Sequence, residues 1–357
     1  MAELFSLAVD ARVLTGDTRG IGRYARAVLR RLAAREDLAL TLLLPECFPW
    51  LRKGALARAI GSERFRVTTR LPQRTHLLWH PANGSFFSAS GVPSVATIHD
   101  AVPFRFPNPD RVAGEREREP FLRSVRESTH FIAVSQFGAS ELTEALSIPN
   151  DRIEVIPHGV ERSFTPGVPD ALPGSLRAGA YLLFVGDPGT ERRKNFSLLA
   201  QAHARAFPNG NPPLVVVGPR AAEYGASIYA GELRDDILGS ENSALRSLYR
   251  GARALCVPSL HETFGMPGIE AMACGTPVLA SQASCLPEIY GDAAVFSPPE
   301  DATAWSRELA RIVNDDTFHS DLRERGLQRA AEYDWDRSAA THFALFQRVA
   351  AAARARA

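Results

Sequence analysis

The sequence predicts an α/β protein with two doubly wound parallel sheets. Two observations support this fold class: short apolar runs alternate with stretches of helical periodicity, and the alternation breaks off at residues 158–178 before it starts again. Strands that alternate with helices pair in parallel, because each helix carries the chain back across the sheet. The length of 357 residues accommodates two domains of ordinary size.

The first half of the chain contains six predicted strands and two predicted helices. Apolar residues between Ile21 and Leu32 recur on one face and predict a helix there. A second helix is predicted over residues 138–146. The strands are predicted at residues 4–9, 38–44, 77–79, 95–98, 131–134 and 153–156. The alternation predicts that these strands form one parallel sheet.

Prolines and glycines at residues 158–178 exclude a regular element and predict an interdomain linker. The alternation then resumes with strands at residues 181–185, 214–217, 254–257, 277–280 and 293–296 and helices at 195–206, 244–251 and 267–273. We therefore expect an N-terminal domain over residues 1–165 and a C-terminal domain over residues 166–336. A last helix, within residues 337–357, is expected to pack back on the N-terminal domain.

The composition excludes several functional classes. With 45% hydrophobic residues, 23% charged residues and a net charge of +1, the chain is expected to be soluble and globular, without nucleic acid as a partner. Neither a signal peptide nor a membrane-spanning run of roughly eighteen apolar residues is predicted. The four cysteines form no C-x-x-C pair and are expected to be buried thiols in a reducing cytosol. The expected location is therefore cytoplasmic.

A candidate phosphate site lies within residues 258–278. A predicted strand ends there, Gly265 lies in the following loop, and Pro267 opens a helix. The free amides and positive dipole end of a helix start suit a phosphate. Glu262 in the loop and Glu270 in the helix can face a bound sugar and a ribose, respectively. On their own, a capping acid and a solvated helix glutamate remain the alternative.

The same residues resemble the signature of glycosyltransferase family 4. The glutamates of H-E-T-F-G-M-P-G-I-E-A have the E-x7-E spacing of that family, and a G-x-P turn and a further strand follow. Residues 286–288 and 291–294 also look like the family, so the resemblance covers most of the chain. It implies a GT-B fold, in which two Rossmann-like domains face a cleft and the second holds the sugar nucleotide. It also implies retention of the anomeric configuration.

Three adjacent cations, Arg192 to Lys194, follow the first strand of the second half and its glycine, Gly186. Cations at a strand end can neutralise a diphosphate, although an exposed basic turn is the alternative. Lys194 is one of only two lysines among 41 basic residues, which suggests that this position requires an ammonium group. By resemblance, Arg193 and Lys194 match the family's pair on the donor diphosphate. The R-K-N spelling is most like bacterial mannosyltransferases of polysaccharide assembly, whereas Asp187 departs from the arginine of many members.

The first half carries weaker candidates. Gly16, Gly20 and Gly22 lie between the first strand and helix, where they let backbone approach a ligand or simply form a tight turn. In the family this loop closes over the donor phosphates and helps to form the acceptor pocket. His99 ends a predicted strand, and by resemblance it contacts the donor sugar or lies beside the acceptor; a structural histidine is the alternative.

The helix over residues 21–32 carries an arginine face. Its members, with two arginines just beyond, are Arg23, Arg26, Arg30, Arg31 and Arg35. This is either an ordinary solvated face or a surface attracted to anionic lipid or a lipid-diphosphate acceptor. Peripheral contact with the inner face of the membrane is therefore one expectation.

These observations together predict a metal-independent glycosyltransferase without a cofactor. It is expected to move a hexose from a nucleoside-diphosphate sugar to a hydroxyl of a glycan or lipid-linked saccharide. The leaving diphosphate is stabilised by Arg193, Lys194 and the amides at Gly265 and Met266. Glu262 orients the donor sugar, Glu270 accepts from the ribose, and His99 lies beside the reacting sugar. The donor-binding set is completed by Gly20, Gly22, Gly186 and Phe264.

Several alternatives stay open at this stage. GDP-mannose is the first expectation for the donor, with UDP- and dTDP-sugars as alternatives, and base recognition is expected near residues 238–240. The acceptor is expected to meet loops such as residues 104–119, which are rich in proline and charge. Asp334-Trp335-Asp336 has the letters of a metal-binding motif but not its position, so no metal is expected. An epimerase, a phosphorylase or a catalytically silent sugar-nucleotide-binding subunit would share the architecture.

Overall fold

The computed structural model describes residues 4–16, 20–45, 48–89, 91–170, 172–189, 191–218 and 243–355. The chain divides into two compact units, the first comprising Met1–Gly159 with Trp335–Ala357 and the second comprising Val160–Asp334. The division comes before the predicted boundary at residue 165. The reason is that Val160 donates a backbone hydrogen bond to the carbonyl of Tyr333, within the second unit.

The first unit is built on a seven-stranded parallel sheet with the order β3-β2-β1-β4-β5-β6-β7. Its strands are β1 (Phe5–Asp10), β2 (Leu38–Leu43), β3 (Arg66–Thr68), β4 (Leu77–His80), β5 (Ser94–Thr97), β6 (His130–Ala133) and β7 (Ile153–Val155). Six of these agree with prediction. The short strand β3 was missed, because none of its three residues is fully buried and its sequence contains no apolar run.

Helices cover this sheet. They are α1 (Val13–Gly16), α2 (Gly20–Ala33), α3 (Lys53–Ile60), α4 (Val102–Arg105), α5 (Arg111–Glu127) and α6 (Gln136–Leu146). The predicted acceptor loop at residues 104–119 is wrong over its second half, which lies in α5. Asp110 caps this helix by accepting from Ala113 N, and the pair Arg111–Glu115 supports its first turns. Charge pairs thus stabilise a segment that lacks an apolar pattern.

The three glycines after β1 do not form one loop. Gly16 ends α1, Gly20 begins α2, and Gly22 lies buried inside α2. The prediction of a single glycine-rich turn that includes Gly22 is therefore wrong. Among the described residues, no atom lies within 4 Å of the position that a Cβ on Gly20 would take.

The last helix, α13 (Trp335–Arg354), belongs to the first unit. Its His342 Nε2 lies 2.6 Å from the hydroxyl of Tyr24 on α2, and that hydroxyl lies 3.0 Å from Thr97 Oγ1. Asp336, the last letter of the predicted motif, pairs with Arg31 at 2.5 Å in the first turn of the helix. Buried hydrogen bonds therefore join α13 to α2, and Tyr24 joins α2 in turn to the end of β5.

We expect this junction to make the first unit sensitive to acid. Burial lowers the pKa of His342 from its ordinary 6.5 to about 4, so the unfolded chain binds a proton before the folded one does. The contribution of neutral His342 to the free energy of unfolding is fully present above pH 6.5. It decreases by about 3 kcal/mol as the pH drops from 6.5 to 4. Thermal unfolding at several pH values should show this loss. The variant His342→Gln should flatten the profile, and an unchanged profile would contradict the assignment.

The second unit contains a five-stranded parallel sheet with the order β12-β11-β10-β8-β9. Its strands are β8 (Leu182–Val185), β9 (Leu214–Val217), β10 (Ala254–Val257), β11 (Val278–Ser281) and β12 (Ala294–Ser297). Its helices are α7 (Phe196–Ala206), α8 (Ser243–Gly251), α9 (Met266–Ala273), α10 (Leu286–Tyr290), α11 (Ala302–Asn314) and α12 (Asp316–Ala330). Trp305 of α11 is fully buried in the core beside this sheet. Within the described residues, no helix is both long enough and apolar enough to cross a bilayer.

Candidate functional site

The candidate site lies in the second unit, where β8 and β10 are neighbours in the sheet. The chain that leaves β8 forms the 3-10 turn Arg192–Lys194, and the chain that leaves β10 carries Glu262. A hydrogen bond of 2.7 Å from Leu260 N to the carbonyl of Arg193 joins the two segments. Ligands bind at the carboxyl ends of such strands. The structure therefore brings the two predicted halves of the site together.

Lys194, Arg193 and Glu262 form an ion-pair cluster. Lys194 Nζ lies 2.6 Å from Glu262 Oε1, and Arg193 Nη1 lies 3.5 Å from Glu262 Oε2. Arg193 Nη2 is also 2.9 Å from Glu191 Oε2. The side chains of Lys194 and Glu262 are only 15% and 12% exposed, so water and salt screen this pair less than a surface pair. The cluster holds an ammonium and a guanidinium group in fixed positions.

Glu262 is held in its charged form. Burial raises its pKa, but the charges of Lys194 and Arg193 and hydrogen bonds from Lys194 and Ser259 outweigh burial, so the pKa lies below its ordinary value. Ser259 Oγ donates to Glu262 Oε1 at 2.9 Å. The carboxylate is therefore ionised at neutral pH, where it can accept hydrogen bonds from hydroxyl groups.

Two residues that sequence analysis missed fix the loops of the site. Asn195 has a φ of +54°, and its Nδ2 donates to the carbonyls of Pro258 and Pro299 at 3.1 and 2.8 Å. Ser284 Oγ accepts from the backbone N–H of Glu262 at 2.9 Å. Asparagine is among the few residues that tolerate positive φ. The asparagine of R-K-N was thus an available signal for a tight turn after the cations.

Gly186 follows β8, and Gly218 follows the neighbouring strand β9. A Cβ on Gly218 would lie 2.1 Å from the carbonyl oxygen of Gly186, so the segments after β8 and β9 approach more closely than a side chain allows. A Cβ placed on Gly186 would lie 3.7 Å from Cδ of Lys194. Gly186 is therefore next to Lys194, and its contact with a donor stays a prediction.

Helix α9 begins close to the predicted position, with Met266 first and Pro267 second. Gly265 caps it with a φ of +78°, a left-handed conformation that favours glycine. A Cβ on Gly265 or Gly268 would lie 2.4 or 2.2 Å from atoms of Tyr290, whose hydroxyl donates to the Gly265 carbonyl at 2.7 Å. Both glycines thus make room for a ring that fixes the helix start, where the first amides form the positive end of the dipole.

Glu270 lies inside α9 and is 1% exposed. Its Oε2 accepts a hydrogen bond from the hydroxyl of Tyr249 at 3.1 Å. Burial, with the charges of Glu262 and Glu270, raises the pKa of Tyr290 well above its ordinary value, so both glutamates act on one ring. Phe264, between them in sequence, is buried at 3%. The contact of Glu270 with a ribose stays a prediction.

His99 follows β5 in the first unit and is 5% exposed. Its backbone N–H donates to Asn83 Oδ1 at 2.6 Å, and its Nε2 lies 3.0 Å from the carbonyl of Pro81. Its ring meets the ring of Tyr24 edge to face, with centroids 4.6 Å apart. These contacts fix the imidazole firmly. The role of His99 beside a reacting sugar stays a prediction.

A charged cluster that sequence analysis missed lies at the carboxyl ends of β1 and β4. The carboxylate of Asp10 accepts two hydrogen bonds from Arg12, at 2.9 and 2.8 Å, and lies 3.6 Å from Nδ1 of His80. Burial raises the pKa of Asp10, but its interactions with His80 and Arg12 outweigh burial and hold the pKa below its ordinary value. Arg12 also lies 3.2 Å over the ring of Phe86. An acid at the end of a predicted strand was the available signal.

The predicted arginine face of α2 is in part engaged within its own unit. Arg31 pairs with Asp336, and Arg35 pairs with Asp37 at 2.7 Å. At these two positions the structure favours internal ion pairs over an open basic surface. The predicted base-recognition segment, residues 238–240, lies outside the described residues, and so does Cys47. Among the residues that the structure describes, no group of three histidine, cysteine or acidic side chains could hold a metal ion.

Two family models match the chain. Residues 178–329 match the model for glycosyl transferases group 1, and residues 47–164 match the model for glycosyltransferase family 4. The first match contains the whole ion-pair cluster and the start of α9.

Curated relatives have related descriptions. An O-antigen chain mannosyltransferase B of Escherichia coli is 29% identical, over 89% of this chain and 93% of the relative. The serotype-specific mannosyltransferase WbdA of Escherichia coli is 28% identical over 70% of this chain. This chain covers only 33% of the length of WbdA.

Solved structures share the fold. A sucrose-phosphate synthase from Thermosynechococcus elongatus superposes with a TM-score of 0.71 at 20% identity, covering 97% of this chain and 99% of that one. Anabaena HepE, solved in complex with UDP and glucose, superposes with a TM-score of 0.64 at 16% identity, covering 97% of this chain and 100% of that one. The α/β architecture of two parallel sheets is therefore the GT-B fold.

Proposed function

Because the chain belongs to the family 4 glycosyltransferases, we propose that it transfers a mannosyl group from a nucleoside-diphosphate sugar to a hydroxyl of a glycan or lipid-linked saccharide. The observation that supports this function is the partly buried cluster of Lys194, Arg193 and Glu262 that follows β8 and β10. It combines cations suited to a diphosphate with a carboxylate suited to sugar hydroxyls. GDP-mannose is the first choice of donor, supported by the mannosyltransferase relatives, and UDP- and dTDP-sugars are alternatives.

The charge balance of the cluster indicates that the start of α9 also stabilises the bound diphosphate. Arg193 and Lys194 are balanced by Glu191 and Glu262 in the free protein. A bound diphosphate adds negative charge that these cations alone do not neutralise. The amides at Gly265 and Met266, at the positive end of the α9 dipole, supply the remaining stabilisation. Tyr290 fixes that helix start through its hydrogen bond to Gly265.

Glu262 is proposed to orient the donor sugar. Its Oε1 already accepts from Lys194 and Ser259, so the carboxylate is ionised and its direction is fixed. A carboxylate held in this way accepts well from hydroxyl groups of a sugar, whereas its strong ion pair makes it a poor nucleophile. These contacts favour a hydroxyl-binding role over a covalent intermediate. Glu270 is proposed to accept from the ribose after Tyr249 yields its hydrogen bond.

The proposed reaction is a metal-independent substitution on one face of the sugar, with retention of configuration. The bond between the anomeric carbon and the diphosphate oxygen breaks, and the electron pair stays with the diphosphate. The acceptor oxygen then forms its bond to the same face of that carbon. Its proton passes to the departing diphosphate, so no protein base is consumed. Lys194 and Arg193 stabilise the charge that develops on the leaving oxygen.

The experiment begins with the full-length protein and a thermal-shift comparison of GDP-mannose, UDP-glucose and a dTDP-sugar. A donor at 100 times its Kd should stabilise the protein by about 2.7 kcal/mol. Release of nucleoside diphosphate is then measured with and without methyl α-mannoside, and NMR of the product gives its anomeric configuration. Transfer with retention supports the proposal. Turnover of the donor sugar without an acceptor would indicate an epimerase, and binding without hydrolysis or transfer would indicate a silent subunit.

The membrane expectation also belongs to this proposal. A lipid-linked acceptor would place the protein at the cytoplasmic face of a membrane as a peripheral protein. The internal ion pairs of Arg31 and Arg35 weaken the case for α2 as the contacting surface.

A further inference from the structure

A compact set of exposed apolar side chains follows β2 in the first unit. Phe48, Trp50 and Leu51 expose 59%, 58% and 76% of their surfaces. The rings of Phe48 and Trp50 meet edge to face, with centroids 5.3 Å apart. Single exposed apolar residues are common, but three within four positions form a patch, and such patches mark interaction sites.

Positive charge borders this patch. Arg52, Lys53 and Arg58 are exposed, and the sequence contains no acidic residue from position 48 to position 62. Lys53 is one of only two lysines in the chain, the other being Lys194. Arg30 of α2 approaches the end of α3, with its Nε 3.6 Å from the place of a Cβ on Gly61. We use the name aromatic–basic surface for the exposed side chains within residues 48–53. They are Phe48, Trp50, Leu51, Arg52 and Lys53.

The aromatic–basic surface is mounted on a fixed support. The 3-10 turn Pro49–Arg52 leads directly into α3, and Pro49 is buried. On the opposite face of α3, Leu56 and Ile60 are 1% and 0% exposed. Pro49, Leu56 and Ile60 thus anchor in the core the turn and the helix that carry the exposed side chains. The outward orientation is therefore a stable property of the first unit.

We propose that the aromatic–basic surface docks the protein on an anionic lipid bilayer. Trp50 and Phe48 suit the interface between headgroups and acyl chains, where an aromatic ring keeps its apolar body in contact with lipid. Arg52 and Lys53 suit lipid phosphates, and the absence of acids from positions 48 to 62 lowers the repulsion that an anionic surface would otherwise meet. A protein partner would not require this one-sided charge. The inference rests on the proposed function only in that a lipid-linked acceptor gives the contact a purpose.

Vesicle binding tests the proposal without a donor or an acceptor. The full-length protein is sedimented with vesicles of phosphatidylcholine alone or mixed with phosphatidylglycerol, at low and high salt. We expect binding only to the anionic vesicles and weaker binding in high salt, because salt screens the attraction. Since the assay contains no nucleotide sugar, its failure would leave the proposed transfer reaction unaffected.

Trp50 provides a direct probe of the same surface. The other tryptophans, Trp79, Trp305 and Trp335, are 0%, 0% and 1% exposed. Fluorescence changes on vesicle addition therefore report on Trp50 alone. We expect a blue shift and quenching by lipids brominated on their acyl chains. The variant Trp50→Phe should lose the signal but retain most of the binding.

Matched variants locate the contact. The double variant Trp50→Ser, Leu51→Ser should reduce vesicle binding at least tenfold, whereas Phe106→Ser, Val112→Ser should not, although both of those residues are 48% exposed. Lys53→Glu should reduce vesicle binding by more than about fivefold, which is the effect of a single charge. Arg74→Glu should leave vesicle binding unchanged. Thermal unfolding verifies that each variant is folded. If the serine variant does not fold, Lys53→Glu and the Trp50 signal of the wild type decide the question.

Three outcomes would overturn the proposal. One is a wild-type protein that does not bind anionic vesicles, and another is an equal loss of binding in the control variants. The third is a dimer in solution that Trp50→Ser, Leu51→Ser dissociates, because the surface would then be an interface between two copies of this chain.

Discussion

Replacement of Lys194 by alanine is expected to lower glycosyl transfer by at least about 100-fold. The ammonium group lies 2.6 Å from Glu262 and its side chain is 15% exposed, so it is in place before a donor binds. A charge fixed in advance stabilises a developing negative charge without the cost of reorganisation. The measurement is the rate of nucleoside-diphosphate release in the presence of an acceptor, together with the Kd of the free nucleoside diphosphate, which should also rise.

Two variants in the same turn control this result. Arg192→Ala removes a neighbouring cation whose side chain is exposed, and it should change transfer less than threefold. Lys194→Arg keeps the charge but replaces a compact ammonium by a planar guanidinium, so it should restore only part of the activity. An Arg192→Ala variant as inactive as Lys194→Ala would show that total charge, rather than the position of Lys194, matters. Wild-type transfer by Lys194→Ala would refute the assignment.

Replacement of Glu262 by alanine is expected to reduce transfer by a similar factor but to act on nucleotide binding in the opposite direction. Glu262 pairs with Lys194 and, more weakly, with Arg193, so its removal frees Lys194 for the diphosphate while Arg193 keeps its pair with Glu191. The free nucleoside diphosphate should bind as well as before or several-fold more tightly, while the sugar loses its hydroxyl acceptor. Calorimetry with the nucleotide and a transfer assay with the intact donor measure the two effects separately.

The comparison variants for Glu262 are Glu262→Gln and Glu300→Ala. Glutamine keeps the shape of the side chain without its charge, so it should retain more activity than alanine but less than the wild type. Glu300 is exposed on the loop after β12, and its removal should leave transfer unchanged. Weaker nucleotide binding by Glu262→Ala would contradict the proposed division between sugar and diphosphate contacts.

The predicted strands agree with the structure to within one residue at each end, because strands buried on both faces have nearly continuous apolar sequences. Strand β3 was not predicted, because it is short and partly exposed. Helix α5 was missed for a different reason: its turns depend on charge pairs and on the cap Asp110, not on an apolar stripe. Helices α11 and α12 begin after Asp301 and Asp315, whose side chains cap them, so capping acids were a usable signal that periodicity alone did not provide.

The candidate site was predictable only in its principal charged groups. Lys194 and Glu262 follow different strands and are 68 positions apart, so their contact depends on the order of β8 and β10 in the sheet. A motif does not contain that order. The supporting contacts from Ser259, Asn195 and Tyr290 depend on loop geometry in the same way.

The first and last residues of the second unit are neighbours in the structure. Val160, its first residue, pairs with Asp334, its last, while the helix that follows completes the first unit. In topological terms the second unit is an insertion between β7 and α13. During synthesis the ribosome therefore completes residues 160–334 before it makes the last helix of the first unit. The hydrogen bond between Tyr24 and His342 forms only after that helix has been made. The inserted module is expected to fold first, and its adjacent ends make it suitable for expression as a separate protein.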